Sequence, residues 1–256
     1  MVRIITAADG HYGGQFESGQ WPEYGVPDET RHETMINWIN QEVAENGVDF
    51  VVFNGDNWHD FPYTEIPAGY PGAGTTYMDR AIYWYDQLDC PYFCTHGNHD
   101  RLSFQAWENF FGYPVNHHFA HKGYGIVLLN TGSNEGEDVG YGTGYALPDL
   151  QFVQDTYQHY FEQEMPMIIF NHVDWTFSNY GGGGLMSATF GDNWPLHHFV
   201  RLRPHIIAVH WGHRHIYRST YLYGRQLYAF SGHFSHRTNL DYGYRVIELE
   251  DRSYVI

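Results

Sequence analysis

Pro91-Tyr92-Phe93-Cys94-Thr95 is a short apolar run that gives way to His96-Gly97-Asn98-His99-Asp100, a stretch dense in groups that bind metals and move protons. The run reads as a buried strand, and the polar stretch as the loop beyond its carboxyl end. The same pattern recurs on either side. Arg3 to Ala8 leads into Asp9-Gly10-His11, Val48 to Phe53 into Asn54-Gly55-Asp56, and Met167 to Phe170 into Asn171-His172. His205 to Val209 leads to Gly212-His213-Arg214-His215, and Gly125 to Asn130 is a further strand candidate. Helical patterns lie between several of these runs. Thr30-Arg31-His32-Glu33 has the form of a capping box, Met35, Ile39 and Val43 recur every four residues, and Gly47 supplies a stop. Met78, Ile82 and Tyr85 mark a second helix, Phe104, Trp107 and Phe111 a third behind Ser103, and Phe152 to Phe161 a fourth. Strands alternating with helices predict an α/β fold. After His215 the signals become those of hairpins, with Tyr223-Gly224 between Tyr217 to Leu222 and Gln226 to Phe230, followed by Tyr244 to Leu249.

Composition narrows the function. The chain has 256 residues, 43% of them hydrophobic and 18% aromatic, which excludes the signature of disorder and fits a single domain over residues 1–256. Lys+Arg 13 against Asp+Glu 30 gives a net charge of −17 and leaves no basic track for long duplex nucleic acid; Lys122 is the only lysine. No run approaches the roughly 18 apolar residues of a membrane span, so no membrane partner is expected. Met1 to Thr6 lacks the apolar core of a signal peptide. Cys90 and Cys94, in one extended segment, are too far apart to bridge, so a reducing, cytoplasmic location is expected. Four stretches rich in Gly, Pro or Tyr, Tyr12 to Pro27, Phe61 to Gly74, Gly132 to Tyr145 and Thr176 to Asn193, read as loops placed to rim or cover a site.

The chain carries 18 histidines, and the informative ones sit just past strand ends. In an open α/β sheet that edge is where ligands bind, so residues distant in sequence converge there. Asp9, His11, Asp56, Asn98, His172, His213 and His215 would supply oxygen and imidazole donors and no thiolate. Seven groups exceed the needs of one tetrahedral ion and suit two ions bridged by one carboxylate. Mixed carboxylate and imidazole donors favour Mn, Fe, Zn or Co, in divalent or trivalent form, without choosing among them. His213 and His215 would face opposite sides of an extended segment unless the chain turns, which Gly212 allows. Singly, most of these motifs are ordinary turns; together, in order, they point to a metal centre. His59 is close enough to Asp56 in sequence to stand behind the ligands, and His233 is a candidate for the pocket wall.

Asp9-Gly10-His11, Gly55-Asp56, Gly97-Asn98-His99-Asp100, the lone His172 and Gly212-His213-Arg214-His215 resemble the ordered signature of calcineurin-like metallophosphoesterases. The tail, from Ser231-Gly232 to Tyr244-Arg245-Val246-Ile247-Glu248-Leu249, is similar to the closing strands of their cyclic-nucleotide-phosphodiesterase-like branch. The resemblance implies a four-layer α/β/β/α sandwich with two mixed β-sheets. It implies Asp9, His11, Asp56 and His215 around one ion, and Asp56, Asn98, His172 and His213 around the other, with Asp56 bridging. It further implies that His99 stabilises the transition state or protonates the leaving group, with Asp100 orienting His99. The expected activity is dinuclear-metal-dependent hydrolysis of a small phosphodiester, cyclic nucleotides included, by in-line attack of a hydroxide held between the ions. The alternatives are a phosphomonoesterase of the same fold, a nuclease on short nucleic acids, and a non-catalytic binding scaffold. A dianionic monoester would call for extra donors at the pocket, for which Arg101 or a protonated histidine is available.

Overall fold

Two mixed sheets lie face to face and helices cover their outer sides in the computed structural model, which describes residues 1–13, 28–59, 62–132, 147–173, 194–213, 219–222, 226–230, 232–233 and 243–252. The first sheet contains β1 (Val2–Ala8), β2 (Phe50–Asn54) and β3 (Tyr92–Thr95), all parallel. On its far side β1 is flanked antiparallel by β11 (Arg245–Leu249) over Val2 to Thr6, and parallel by the short β10 (Gly232–His233) at Ala7 and Ala8. The second sheet runs β4 (His117–His121), β5 (Tyr124–Leu129), β6 (Met167–Asn171), β7 (Ile206–Trp211), β9 (Gln226–Phe230), β8 (Ser219–Leu222). Its four central strands are parallel and its two edge strands antiparallel.

Three apolar layers account for this arrangement. Ile5, Ala7, Val51 and Phe53 on one face of the first sheet pack under α1 (Asp28–Asn46), α2 (Tyr77–Tyr85) and α3 (Phe104–Phe111) through Met35, Ile39, Met78, Ile82 and Trp107. Val2, Ile4, Phe50 and Val52 on the other face meet Ile126, Leu128, Ile168 and Phe170 of the second sheet. The outer face of that sheet, with Val127, Leu129, Ile169 and Val209, is covered by α4 (Leu150–Phe161) and α5 (Trp194–Arg201). The order is therefore α/β/β/α, as expected. Strands buried on both faces explain why the sequence shows near-continuous apolar runs rather than alternation.

Two local readings change. The first helix begins at Asp28, so Thr30 to Glu33 are its third to sixth residues and not a capping box. Glu29 is held there by Arg80 Nε (2.6 Å) and Trp84 Nε1 (2.8 Å), tertiary contacts that a local pattern does not reveal. The capping box in the structure joins Thr76 and Asp79 at the start of α2. Much of the proposed rim, 14–27, 133–146 and 174–193, lies outside the described residues, as do His215 and the side chain of His233. Phe61 to Gly74 is described from residue 62 and is built of turns. Among the described residues no helix is long and apolar enough to cross a membrane.

His210 on β7 is fully buried and stacks on Phe170 with ring centroids 5.2 Å apart. Burial pushes its pKa down to about 3, and the charge of Arg245 adds to this. The folded chain therefore holds it neutral, while the unfolded chain protonates it below about pH 6.5, so stability is intact above that pH and falls as the pH drops towards 3. Between pH 7 and 5 this residue should cost about 2 kcal/mol. Urea unfolding of chelator-treated protein should show that loss in the parent and not in His210→Leu; equal pH dependence in both would contradict it.

Candidate metal centre

The loops after β1, β2, β3, β6 and β7 end at one place because backbone hydrogen bonds lace them together. Asp9 N donates to Gly55 O (3.0 Å), His11 N to Asp56 O (2.8 Å) and Gly212 N to His172 O (2.9 Å). His99 N donates to Asp56 Oδ1 at 2.8 Å, and His213 N to Asp9 Oδ1 at 2.9 Å. Such closeness excludes side chains at particular positions. A Cβ at Gly97 would lie 2.2 Å from Asp56 N, and one at Gly55, where φ is +82°, would strike the His172 side chain at 2.5 Å. Asp9, His11, Asp56, Arg101 and His213 also adopt positive φ, from +41° to +68°. Non-glycine residues in that region are strained by of order 1 kcal/mol each, and such strain concentrates at functional sites. In the last loop the positive φ falls at His213, +68°, and not at Gly212.

The structure brings together every sequence-predicted metal ligand except His215, which lies outside the described residues. Asp9, His11 and Asp56 form one group, and Asp56, His172 and His213 a second, with ligand atoms in each group within 4.8 Å of one another. Asp56 belongs to both. Its Oδ2 lies 2.9 Å from His172 Nε2 and 3.4 Å from His11 Nε2. Asn98 Oδ1 joins the second group, 3.1 Å from His172 Nε2 and 3.0 Å from His213 Nδ1. An ion bonded at about 2.1 Å holds adjacent ligands roughly 3.0 to 3.4 Å apart, so these donors are already spaced for a divalent cation. Asp9, His11 and Asp56 are residues that the resemblance assigns to one ion, and Asp56, His172 and His213 residues that it assigns to the other; a third group, His11, His59 and His99, lies outside that division.

Electrostatics favour a cation here. Burial alone would push the Asp56 carboxyl up, but the charges of His172, His99 and His11 hold it well below the usual carboxylate range. Burial would also push the His172 imidazole down, yet the charge and hydrogen bond of Asp56 overcome it and raise the pKa to about 9. His172 Nδ1 lies 2.9 Å from Asn54 O, and a proton held there leaves Nε2 facing the carboxylate. Sequence reading missed Asn54, whose side chain also reaches His210 O (2.8 Å) and Thr95 Oγ1 (3.1 Å) and so links both sheets behind the site. Its signal was a buried amide at the end of an apolar run.

Asp100 has a different task from the one expected. Its Oδ1 accepts from Asn57 N (2.7 Å) and its Oδ2 from Asn57 Nδ2 (3.0 Å) and Gly97 N (2.7 Å). It clamps the loops after β2 and β3 together rather than bonding the His99 ring. Burial, then the charge of Asp56, pushes its carboxyl up to about 7 against those hydrogen bonds. The His59 ring is stacked on that of His99, centroids 4.9 Å apart and planes 21° from parallel.

No protein-family model and no curated protein matches the sequence. Solved structures do match. A dimetal phosphatase from Danio rerio superposes with a TM-score of 0.66 over 90% of this chain and 86% of its own, at 10% identity. The chain has the metallophosphoesterase fold. A phosphopantetheinyl hydrolase from Mycobacterium tuberculosis shares this metallophosphoesterase fold with a TM-score of 0.51 at 12% identity, over 89% of this chain and 87% of that one. GAP50, the anchor in the inner membrane complex of Plasmodium, has the same score and identity over 96% of this chain and 80% of its own. Two hydrolytic enzymes and an anchor on one metallophosphoesterase scaffold show that the fold sets the architecture, while activity has to be argued from the site.

With its pKa at about 9, His172 carries a proton at pH 7 until an ion displaces it. Calorimetric titration with Mn(II) in buffers of different ionisation enthalpy should show release of about one proton per chain at pH 7, and affinity rising about tenfold per pH unit up to pH 9. Binding without proton release would contradict this arrangement.

Proposed function

We propose that the chain is a hydrolase of small phosphoesters that works with two metal ions bridged by Asp56, and that a phosphodiester, cyclic nucleotides included, is its preferred substrate. The observation that carries this reading is the convergence of Asp9, His11, Asp56, Asn98, His172 and His213, from five strand ends and both sheets, at donor spacings that suit divalent cations. Asp9 and His11, with His215, would hold one ion; Asn98, His172 and His213 would hold the other. Such a pair supplies Lewis acidity for polarising a phosphoryl oxygen and lowering the pKa of water. The ligand type leaves Mn, Fe, Zn and Co as candidates.

The chain's own groups do the rest. Asp9, Asp56, Asn98 and His172 are buried, whereas His99 and His213 beside them are half-buried. His99 is fixed beside the proposed ligands through its backbone bond to Asp56, and its half-buried imidazole would give a proton to the departing ester oxygen. Asp100 preserves that geometry by clamping the two loops beneath. Preference for a diester rests on the resemblance of the closing strands. The unbridged Cys90 and Cys94 are in keeping with a reducing, cytoplasmic setting.

Manganese-reconstituted protein should cleave bis(p-nitrophenyl) phosphate faster than p-nitrophenyl phosphate, with chelated protein inactive. A reversed preference would move the reading to a phosphomonoesterase. Asp56→Asn should lower the rate by at least about a thousandfold while the chain stays folded by circular dichroism; an unchanged rate would remove the mechanism.

A further inference from the structure

We infer that His59 is a second imidazole donor to the substrate's phosphoryl group, acting beside His99. The inference rests on the phosphoesterase reading and adds to it a residue that contacts substrate.

Position comes first. His59 follows fully buried Trp58, whose indole Nε1 donates to Asp100 O at 2.6 Å and whose backbone bridges Tyr12 in the loop after β1. His59 N donates to Tyr12 O at 3.0 Å. The backbone of His59 is therefore fixed to the same frame as the metal-binding loops. Its ring is half exposed, as is that of His99, and the two are stacked. His11 meets His99 edge-on, with centroids 5.0 Å apart.

Reach comes second. Nitrogen atoms of His11, His59 and His99 lie within 4.8 Å of one another. An N–H···O bond spans about 2.8 to 2.9 Å, so two nitrogens up to roughly 5.6 Å apart can donate to one oxygen, or to two oxygens of one phosphoryl group. A phosphate reached by His99 is thus within reach of His59. Every imidazole carries at least one N–H, so this needs no change of charge.

Chemistry comes third and separates this role from that of a metal ligand. The trio contains no carboxylate, whereas both neighbouring groups contain Asp56. Cations will settle where the anionic donors are, leaving His59 and His99 to face the anion that arrives. His11 is the member turned towards Asp56, at 3.4 Å.

The test is calorimetric binding of inorganic phosphate to manganese-loaded parent, His59→Ala and His59→Gln, with metal content measured on each. The expected result is equal metal content in all three, affinity about tenfold weaker in His59→Ala, as for loss of one hydrogen bond to a charged group, and partial recovery in His59→Gln, which keeps an N–H donor. KM for the better aryl ester should rise in step. Equal phosphate affinity in the parent and His59→Ala would overturn the inference alone. Loss of metal in His59→Ala would overturn it by making the residue a ligand. Failure of the loaded parent to bind phosphate would overturn it together with the phosphoesterase reading.

Discussion

Three carboxylates, Asp9, Asp56 and Asp100, are buried within one cluster of loops, and the rest of the site follows from how each is compensated. Removing several like charges from water is costly unless each finds opposite charge or a full set of donors. Asp100 accepts only from backbone and amide N–H groups, which do not offset its burial and the nearby charge of Asp56, so its carboxyl is pushed up to about 7. Asp56 is surrounded by imidazoles and pushed the other way. One acid thus ties two loops together, and the other would serve as the cation-binding group of the proposed reading. Metal ions at Asp56 would take over the role that protonated His172 plays without them.

The two sheets contribute unequally to this cluster, and their face-to-face packing is what joins the halves. β1, β2 and β3 deliver Asp9, His11, Asp56 and Asn98, while β6 and β7 deliver His172 and His213 from the other sheet. The apolar layer between the sheets, with Ile4, Val52, Ile168 and Phe170, sets their spacing. Asn54 then fixes the relative register at the strand ends, touching β3 through Thr95, β7 through His210 and the loop after β6 through His172. A shift of either sheet by one residue would separate Asp56 from His172 and dissolve the bridge between the two donor groups.

Much of this was legible in the sequence because the chemistry-bearing residues stand directly after apolar runs. The strands from Pro91, Val48 and Met167 begin and end within two residues of expectation, and their polar continuations carry the candidate site. β4 was not legible: His117-His118-Phe119-Ala120-His121 has no β-branched residue, and its hairpin turns through Lys122-Gly123, which supplies the positive φ values of such a turn without its usual Asn or Asp. The roles of Asn54 and Asp100 were hidden for another reason. Partners such as His172 and Asn57 lie 118 and 43 residues away in sequence. His59 was read as standing behind the ligands; its stacking on His99 could not be seen in the sequence.

Two ions sharing Asp56 is the central claim, and electron paramagnetic resonance of protein loaded with Mn(II) addresses it most directly. An exchange-coupled pair at two Mn(II) per chain, replaced by an uncoupled ion in Asp56→Asn, is the expected result. Spectra of isolated Mn(II) at every loading, or no stoichiometric binding, would contradict it.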